Sequence, residues 1–461
     1  MSNYSITFLG AAGTVTGSKF LISFGEEHIL VEAGLFQGPK EYRLKNWEPF
    51  PIDPKKISHV IVSHAHLDHC GYLPRLVKQG FNGKILLTRY TEKLAKIILE
   101  DSAQIQVEDA SYAEKKGYSK HKKPLPLYDS DDVARTIELF QAVPFRTDFE
   151  INSNINLKFH PAGHILGSAF VELDFYQKSI LFTGDFGRDN HPLLLRPDPV
   201  PKKKFNLIVT ESTYGDRDHK DSGELLEETI NKTLNRGGSV LIPAFAVDRT
   251  EVLLIKLREL MQANKIPKVD IYLDSPMALS ALRHYRDAVK NKSGEIRPEV
   301  IEIGEEIFDS GTLREARSRE DSMRLNHLKA PSIIISASGM ATGGRVIHHL
   351  KNMLPNFLNS VVLVGYQAVG TRGALLEAGT EEIKMHGEMI PVKADIVKIE
   401  GYSVHADTPE LINWFGELPE KPDQAFVVHG EESAAAAFAK KLNDKLGWEA
   451  VAPTHGQEFY F

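Results

Sequence analysis

The 461 residues include one cysteine, Cys70, so no disulfide can form within the chain, and a reducing compartment fits. No stretch approaches the roughly 18 consecutive apolar residues of a membrane span. The opening MSNYSITFLG lacks the basic-then-apolar order of a secretory leader. The expectation is a soluble, cytoplasmic protein with no membrane partner. Positive charge is not in excess: 55 Lys and Arg against 62 Asp and Glu leave −7, which argues against a surface that binds polyanions everywhere. Nucleic-acid contact must then be local, and the short basic runs KHKK (120–123) and KKK (202–204) read first as solvated faces. Strict repeats and low-complexity tracts are also absent.

What the chain does have is a succession of short apolar runs, each ending in a metal-ligand type of side chain. KISHVIVS leads into His64, His66, Asp68 and His69, and NINLKF leads into HPAGH with His160 and His164. SILFTGD presents Asp185, and FNLIVTEST presents Glu211. KADIVKIEGYSVHAD and DQAFVVHGE deliver His405 and His429 in the same manner. Open sheets flanked by helices put their sites beyond such strand ends, so these distant segments are expected to meet in one cleft. Between about 213 and 381 the texture changes to four strand-loop-helix units with the spacing of parallel βα repeats. The reading is an insertion: a first domain of 1–212 and 382–461, interrupted by a Rossmann-like layer over 213–381.

In VIVSHAHLDHCGYLP, residues two apart in an extended segment point the same way, so His64 and His66 can hold one metal while Asp68 and His69 face a second position. Imidazoles with a carboxylate suit zinc or a related divalent ion, and a carboxylate can bridge two. A lone His at a strand end is more often a hydrogen-bonded structural residue. Four ligand-type side chains in six positions, backed by His164, Asp185 and His429, outweigh that. Cys70 reads as a small buried hydrophobe.

HAHLDH, PAGHILGS and FTGDFGR resemble, in order, signature motifs of the metallo-β-lactamase superfamily. TESTYGDR, GYSVHAD and VVHGE resemble motifs A, B and C of its β-CASP branch of nucleases. The resemblance covers essentially the whole chain. It implies an α/β fold, a four-layer αββα sandwich with the β-CASP domain inserted and roofing the site, and two zinc ions. It also implies His64, His66 and His164 on one ion, Asp68, His69 and His429 on the other, and Asp185 bridging. The first motif usually has Asp where ILVEAGLFQG has Glu32, one methylene longer, in the role of orienting a metal-bound His from behind. PAFAVDRTE has Asp248 where Gly before the Arg is common, and Asp248 reads as the cap of the following helix, with Glu251 three residues on.

Two such ions stabilise charge on phosphoryl oxygens and lower the pKa of a shared water toward about 7, giving hydroxide for in-line attack on phosphorus. Asp68 belongs to this reacting centre. His405 is the candidate acid for the leaving oxygen, with Glu211 holding its ring; Ser403 and Asp407 are spaced to face the same cleft. In SASGMATGGRV, Ser338, Gly339 and Arg345 surround a Gly-rich loop opening a helix, and GYQAVGTRG repeats the pattern with Arg372; a tight turn is the alternative for both. Both loops resemble segments that line the RNA channel of the family, and Arg249 is counted with them. The expected activity is zinc-dependent hydrolysis of single-stranded RNA, endonucleolytic or 5′→3′ exonucleolytic, in RNA processing or decay. A homodimer is compatible with it. The alternatives are a DNA nuclease of the same branch, disfavoured by His429 where DNA-directed members tend to carry Val, a small-molecule metallo-hydrolase, and a non-catalytic scaffold.

Overall fold

A computed structural model describes residues 4–116, 124–218, 223–328, 330–368 and 370–461. The run KHKK at 120–123 lies outside them. Contacts divide the chain into two compact units: Met1–His191 with Leu195–Asp218 and His405–Phe461, and Pro192–Leu194 with His219–Val404.

The first unit is built on two seven-stranded sheets. One runs in the order Glu458–Tyr460, Tyr4–Phe8, Phe20–Phe24, Glu27–Val31, Ile57–Ile61, Lys84–Leu87, Phe140–Ala142. Its first four strands pair antiparallel, and the last three join in parallel. The other runs Ala450–Val451, Gln424–Val427, Leu207–Thr210, Lys178–Phe182, Ala169–Phe175, Ile155–Pro161, Phe149–Asn152. Strand parity separates its two faces. Leu207, Val209, Phe182 and Phe426 enter a core shared with Ile6, Phe8, Ile29 and Ile61 of the first sheet. Ile208, Leu181 and Ala425 pack outward on Leu411, Phe415, Ala435 and Phe438 of the helices Thr408–Phe415 and Glu432–Leu446. Strands buried on both faces read as continuous apolar runs rather than alternations, and Leu207–Val209 and Ile180–Phe182 are runs of this kind. The helices Arg89–Lys116 and Ser130–Ile137 contact each other, and the former contacts the strand Phe140–Ala142 of the first sheet, completing the αββα layering.

Topology places the site. Lys178–Phe182, Leu207–Thr210 and Gln424–Val427 are adjacent and mutually parallel. Ile155–Pro161 is antiparallel to Ala169–Phe175, which is antiparallel to Lys178–Phe182, so it runs with them. The C-terminal ends of all four therefore reach the same edge.

The second unit carries a six-stranded, all-parallel sheet in the order Leu313–Glu315, Ile271–Leu273, Ile333–Ser336, Val240–Pro243, Ser360–Val364, Asp395–Ile399, with a separate hairpin Glu382–Met385/Glu388–Pro391. The four expected βα units are its strands ending at Pro243, Leu273, Ser336 and Val364. The expected return to the first domain at 382 is displaced. Asp395–Ile399 pairs with Ser360–Val364, so the inserted sheet keeps DIVKI and the crossing back comes at His405.

Candidate metal centre

After Ile57–Ile61 the chain stays extended to His66, which stands at the N-cap of the one-turn helix Leu67–Cys70. That turn brings Asp68 and His69 toward His429, with the His69 ring still 4.1 Å from that of His64. The resulting clusters are His64, His66, His164 and Asp185; Asp68, His69 and His429; and Asp185, Glu211 and His429, with ligand atoms within 4.8 Å of one another in each.

In the first cluster His66 Nδ1 lies 3.1 Å from His64 Nε2 and 3.3 Å from His164 Nε2. Burial, with His69 adding to it, lowers the His64 pKa to about 3, and burial and His405 hold His164 well below its ordinary value. Both rings are thus neutral at pH 7. His64 Nδ1 is 3.0 Å from the Ser63 hydroxyl, and a proton kept there leaves Nε2 with its lone pair. Burial also lowers His66.

Asp185 stands between the clusters. Its Oδ2 is 3.3 Å from His64 Nε2 and 3.6 Å from His164 Nε2; its Oδ1 is 3.2 Å from His69 Nε2 and 3.4 Å from His429 Nδ1. Oδ1 is buried with no hydrogen-bond partner among the described residues. Burial would raise its pKa, but the surrounding imidazoles, His429 and His69 foremost, hold it well below the usual range. A buried carboxylate oxygen without a donor, facing ring nitrogens on both sides, is a donor set that divalent cations satisfy. Imidazole and carboxylate together suit zinc, so the residues fit two such ions.

His69 is buried, which disfavours its charge, yet Asp185 and Glu32 outweigh this and raise its pKa well above the ordinary value. Glu32 stands behind it, Oε1 3.6 Å from His69 Nδ1, and accepts from Ser63 N at 3.1 Å. The extra methylene is accommodated with a left-handed backbone at Glu32, φ 64°. Such a conformation costs on the order of 1–3 kcal/mol in a non-Gly residue. It is held by Glu32 N donating to Ile61 O and Ala33 N to His69 O, both at 2.8 Å.

His405 is outside the ligand clusters. Its Nδ1 is 3.1 and 3.2 Å from the two oxygens of Glu211, which also accepts from Phe186 N. Its ring centroid lies 4.4 Å from that of His164. A proton on Nδ1 toward the carboxylate makes Nε2 the nitrogen at which protonation changes.

The expectations for His160, Asp407 and Asp248 are corrected. His160 lies within the strand Ile155–Pro161, bonded to Glu172 at 2.9 Å and stacked on Phe170, away from the ligands. Asp407 caps the helix Thr408–Phe415 in a reciprocal pair with Glu410. Asp248 occupies an N-cap position without capping; its Oδ1 accepts from the buried Tyr285 hydroxyl at 2.9 Å. Lys202, Lys203 and Lys204 are each matched with a carboxylate: Glu417, Glu172 with Asp174, and Asp423. In the second unit, Arg345 donates to Asp274 Oδ1 at 2.6 Å and to Ala316 O, while Arg372 donates to Thr342 O at 3.1 Å and to Lys384 O. Ser338 Oγ accepts from Thr342 N at 3.0 Å, Gly339 lies against Phe245, and Arg249 is buried. Two contributors had no assigned role. Asp274 at a strand end bonds His349, Ser322 and Arg345, and Thr213, inside TESTYGDR, touches His429.

Residues 13–234 match the metallo-beta-lactamase superfamily, 250–376 the Beta-Casp domain, and 389–453 the Zn-dependent metallo-hydrolase RNA specificity domain. Ribonuclease TTHA0252 of Thermus thermophilus is 35% identical over 436 residues, 94% of each chain. The RNase J-like protein of Methanocaldococcus jannaschii is 32% identical over 88% of this chain and 89% of its own. Transcription termination factor FttA of Methanosarcina mazei is 32% identical over 98% of this chain and 70% of its own. A crystal structure of a protein of unknown function from Enterococcus faecalis shares the fold at a TM-score of 0.53 and 13% identity, covering 99% of this chain and 100% of that one. The chain belongs to the metallo-β-lactamase superfamily, in its β-CASP branch.

Proposed function

We propose that this protein hydrolyses the phosphodiesters of single-stranded RNA with two zinc ions, held by His64, His66 and His164 on one side, by Asp68, His69 and His429 on the other, and by Asp185 across both. It is a metal-dependent hydrolase of the ribonuclease type, and relatives named as ribonucleases match it over nearly their whole length. The observation that carries the two-metal reading is Asp185, each of whose oxygens faces a different set of ring nitrogens. When bound, the ions supply Lewis-acid stabilisation of phosphoryl charge and an activated water. Asp68 orients ligands at the second position through His429, 3.2 Å away. His405 gives a proton from Nε2 to the leaving oxygen, while Glu211 holds the ring at Nδ1 and favours its charged form. Substrate contacts belong to the same reading, with Ser338, Gly339, Arg249, Arg345 and Arg372 on the inserted unit. Cytoplasmic action is part of it too.

The test is His405→Ala. General acid catalysis contributes about 10²–10⁴-fold, so the variant should lose activity on RNA by that order while both metals stay bound. A nitrophenyl phosphodiester, whose leaving group needs little protonation, should lose far less. Equal losses on the two substrates, or loss of an ion, would remove His405 from the acid role.

A further inference from the structure

His429 is a proposed ligand whose main chain and ring are both held by the same neighbour, Thr213. It follows the strand Gln424–Val427 with φ 49°, a left-handed backbone that a β-branched or bulky residue seldom adopts. Its N–H donates to Ala11 O at 2.7 Å, and its carbonyl accepts from Ser212 N at 3.3 Å. Gly430 follows because a Cβ there would lie 2.3 Å from Ser212 Oγ. The Ser212 hydroxyl donates to Val428 O at 2.8 Å, so it serves the preceding residue. Thr213 serves His429 itself: Oγ1 donates to His429 O at 3.3 Å and lies 3.1 Å from Nδ1.

A hydroxyl has one proton and two lone pairs. With the proton directed to the His429 carbonyl, Oγ1 can only accept from Nδ1. The other group near Nδ1 is Asp185 Oδ1 at 3.4 Å, also an acceptor. Both neighbours therefore call for a proton on Nδ1. The opposite nitrogen, Nε2, lies 3.2 Å from Asp68 Oδ2, and on the two-metal reading a cation held by Asp68 takes the place of a ring proton there, so that Nε2 keeps the lone pair. We propose that Thr213 is a positioning residue for the second metal position, fixing His429 as the Nδ1–H tautomer so that Nε2 is offered to a cation beside Asp68. This rests on the two-metal reading above. Outer partners of this kind orient a ligand His and raise its basicity.

Thr213→Val removes the hydroxyl and keeps the shape, and Thr213→Ser keeps the hydroxyl. In chelator competition with metal analysis, Thr213→Val should hold one of its two zinc ions about 10–100-fold more weakly, with the other unchanged. Thr213→Ser should behave as the wild type. Wild-type affinity for both ions in Thr213→Val overturns the proposal, as does equal weakening in Thr213→Val and Thr213→Ser, which would take the effect away from the hydroxyl. Fewer than two ions in the wild type would instead overturn the two-metal reading, and this inference with it. Should Thr213→Val fail to fold, nitrogen NMR of 15N-histidine-labelled zinc-loaded wild type decides, with the His429 signal identified by its loss in His429→Gln. A proton on Nδ1 is expected, and a proton on Nε2 overturns the proposal.

Discussion

At Asp185 one carboxylate faces two sets of imidazoles, and this makes it the side chain whose loss costs most. Each oxygen neutralises a different cation on the proposed reading, so Asp185→Ala should lose at least one of two zinc ions. Turnover should fall by more than about 100-fold, the upper end for losing a mere outer partner. Metal analysis alongside an RNA cleavage assay checks both; normal metal content would take Asp185 out of the bridging position. Left-handed backbones at Glu32 and His429 belong to the same scale. Both residues serve the site with their side chains, and both are held there by backbone hydrogen bonds from neighbouring segments, the arrangement expected where local strain supports function.

Three adjacent parallel strands end in TGD, TES and VVHG, and that shared direction brings Asp185, Glu211 and His429 to one edge from positions far apart in sequence. Away from that edge, the same sheet carries a charged cluster at Glu172. Burial would raise its pKa, but bonds from His160 and Lys203 outweigh this and lower it from 4.5 to about 2. A depressed carboxyl contributes stability above its unfolded value and loses it as pH falls through its folded one. The wild type should therefore lose this contribution between pH 4.5 and about 2. Glu172→Gln should be less stable than wild type at pH 6, and the difference should close as pH drops toward 3. Urea midpoints of the metal-free protein across that range measure it. A difference independent of pH would trace the loss to packing instead.

On the scale of the whole molecule, a net charge of −7 leaves RNA affinity to a few local contacts. Lys202, Lys203 and Lys204 are matched by carboxylates, and no described helix is long and apolar enough to cross a membrane. If Arg372 neutralises one phosphate, Arg372→Ala should weaken binding to all RNA sequences alike and reduce the slope of log affinity against log salt by about one. Metal content should not change. An unaltered slope would leave Arg372 with the role its bonds to Thr342 O and Lys384 O already give it, bracing the loop after Ser338.

The sequence by itself determined the inventory of candidate ligands, because donor type and a place at a strand end are local properties, and His64, His66, Asp68, His69, His164, Asp185 and His429 are legible by both. It also determined the split between His64/His66 and Asp68/His69, since the period of an extended chain and the start of a helix are local properties. The alternation of strands and helices was legible for the same reason. Only the tertiary structure decided what depends on a partner far along the chain. DIVKI is a strand in either unit, and its pairing with Ser360–Val364 is what assigns it to the inserted sheet. Asp248 carries a capping residue's side chain but bonds Tyr285, 37 positions away. Arg345 opens a helix after a Gly-rich loop, yet its charge meets the buried Asp274. His160 and His164 sit four residues apart, and the turn at Pro161–Gly163 sends one to Glu172 and the other to the candidate metal centre. A charge or a ring states what it can bind; which group it meets is fixed by folding.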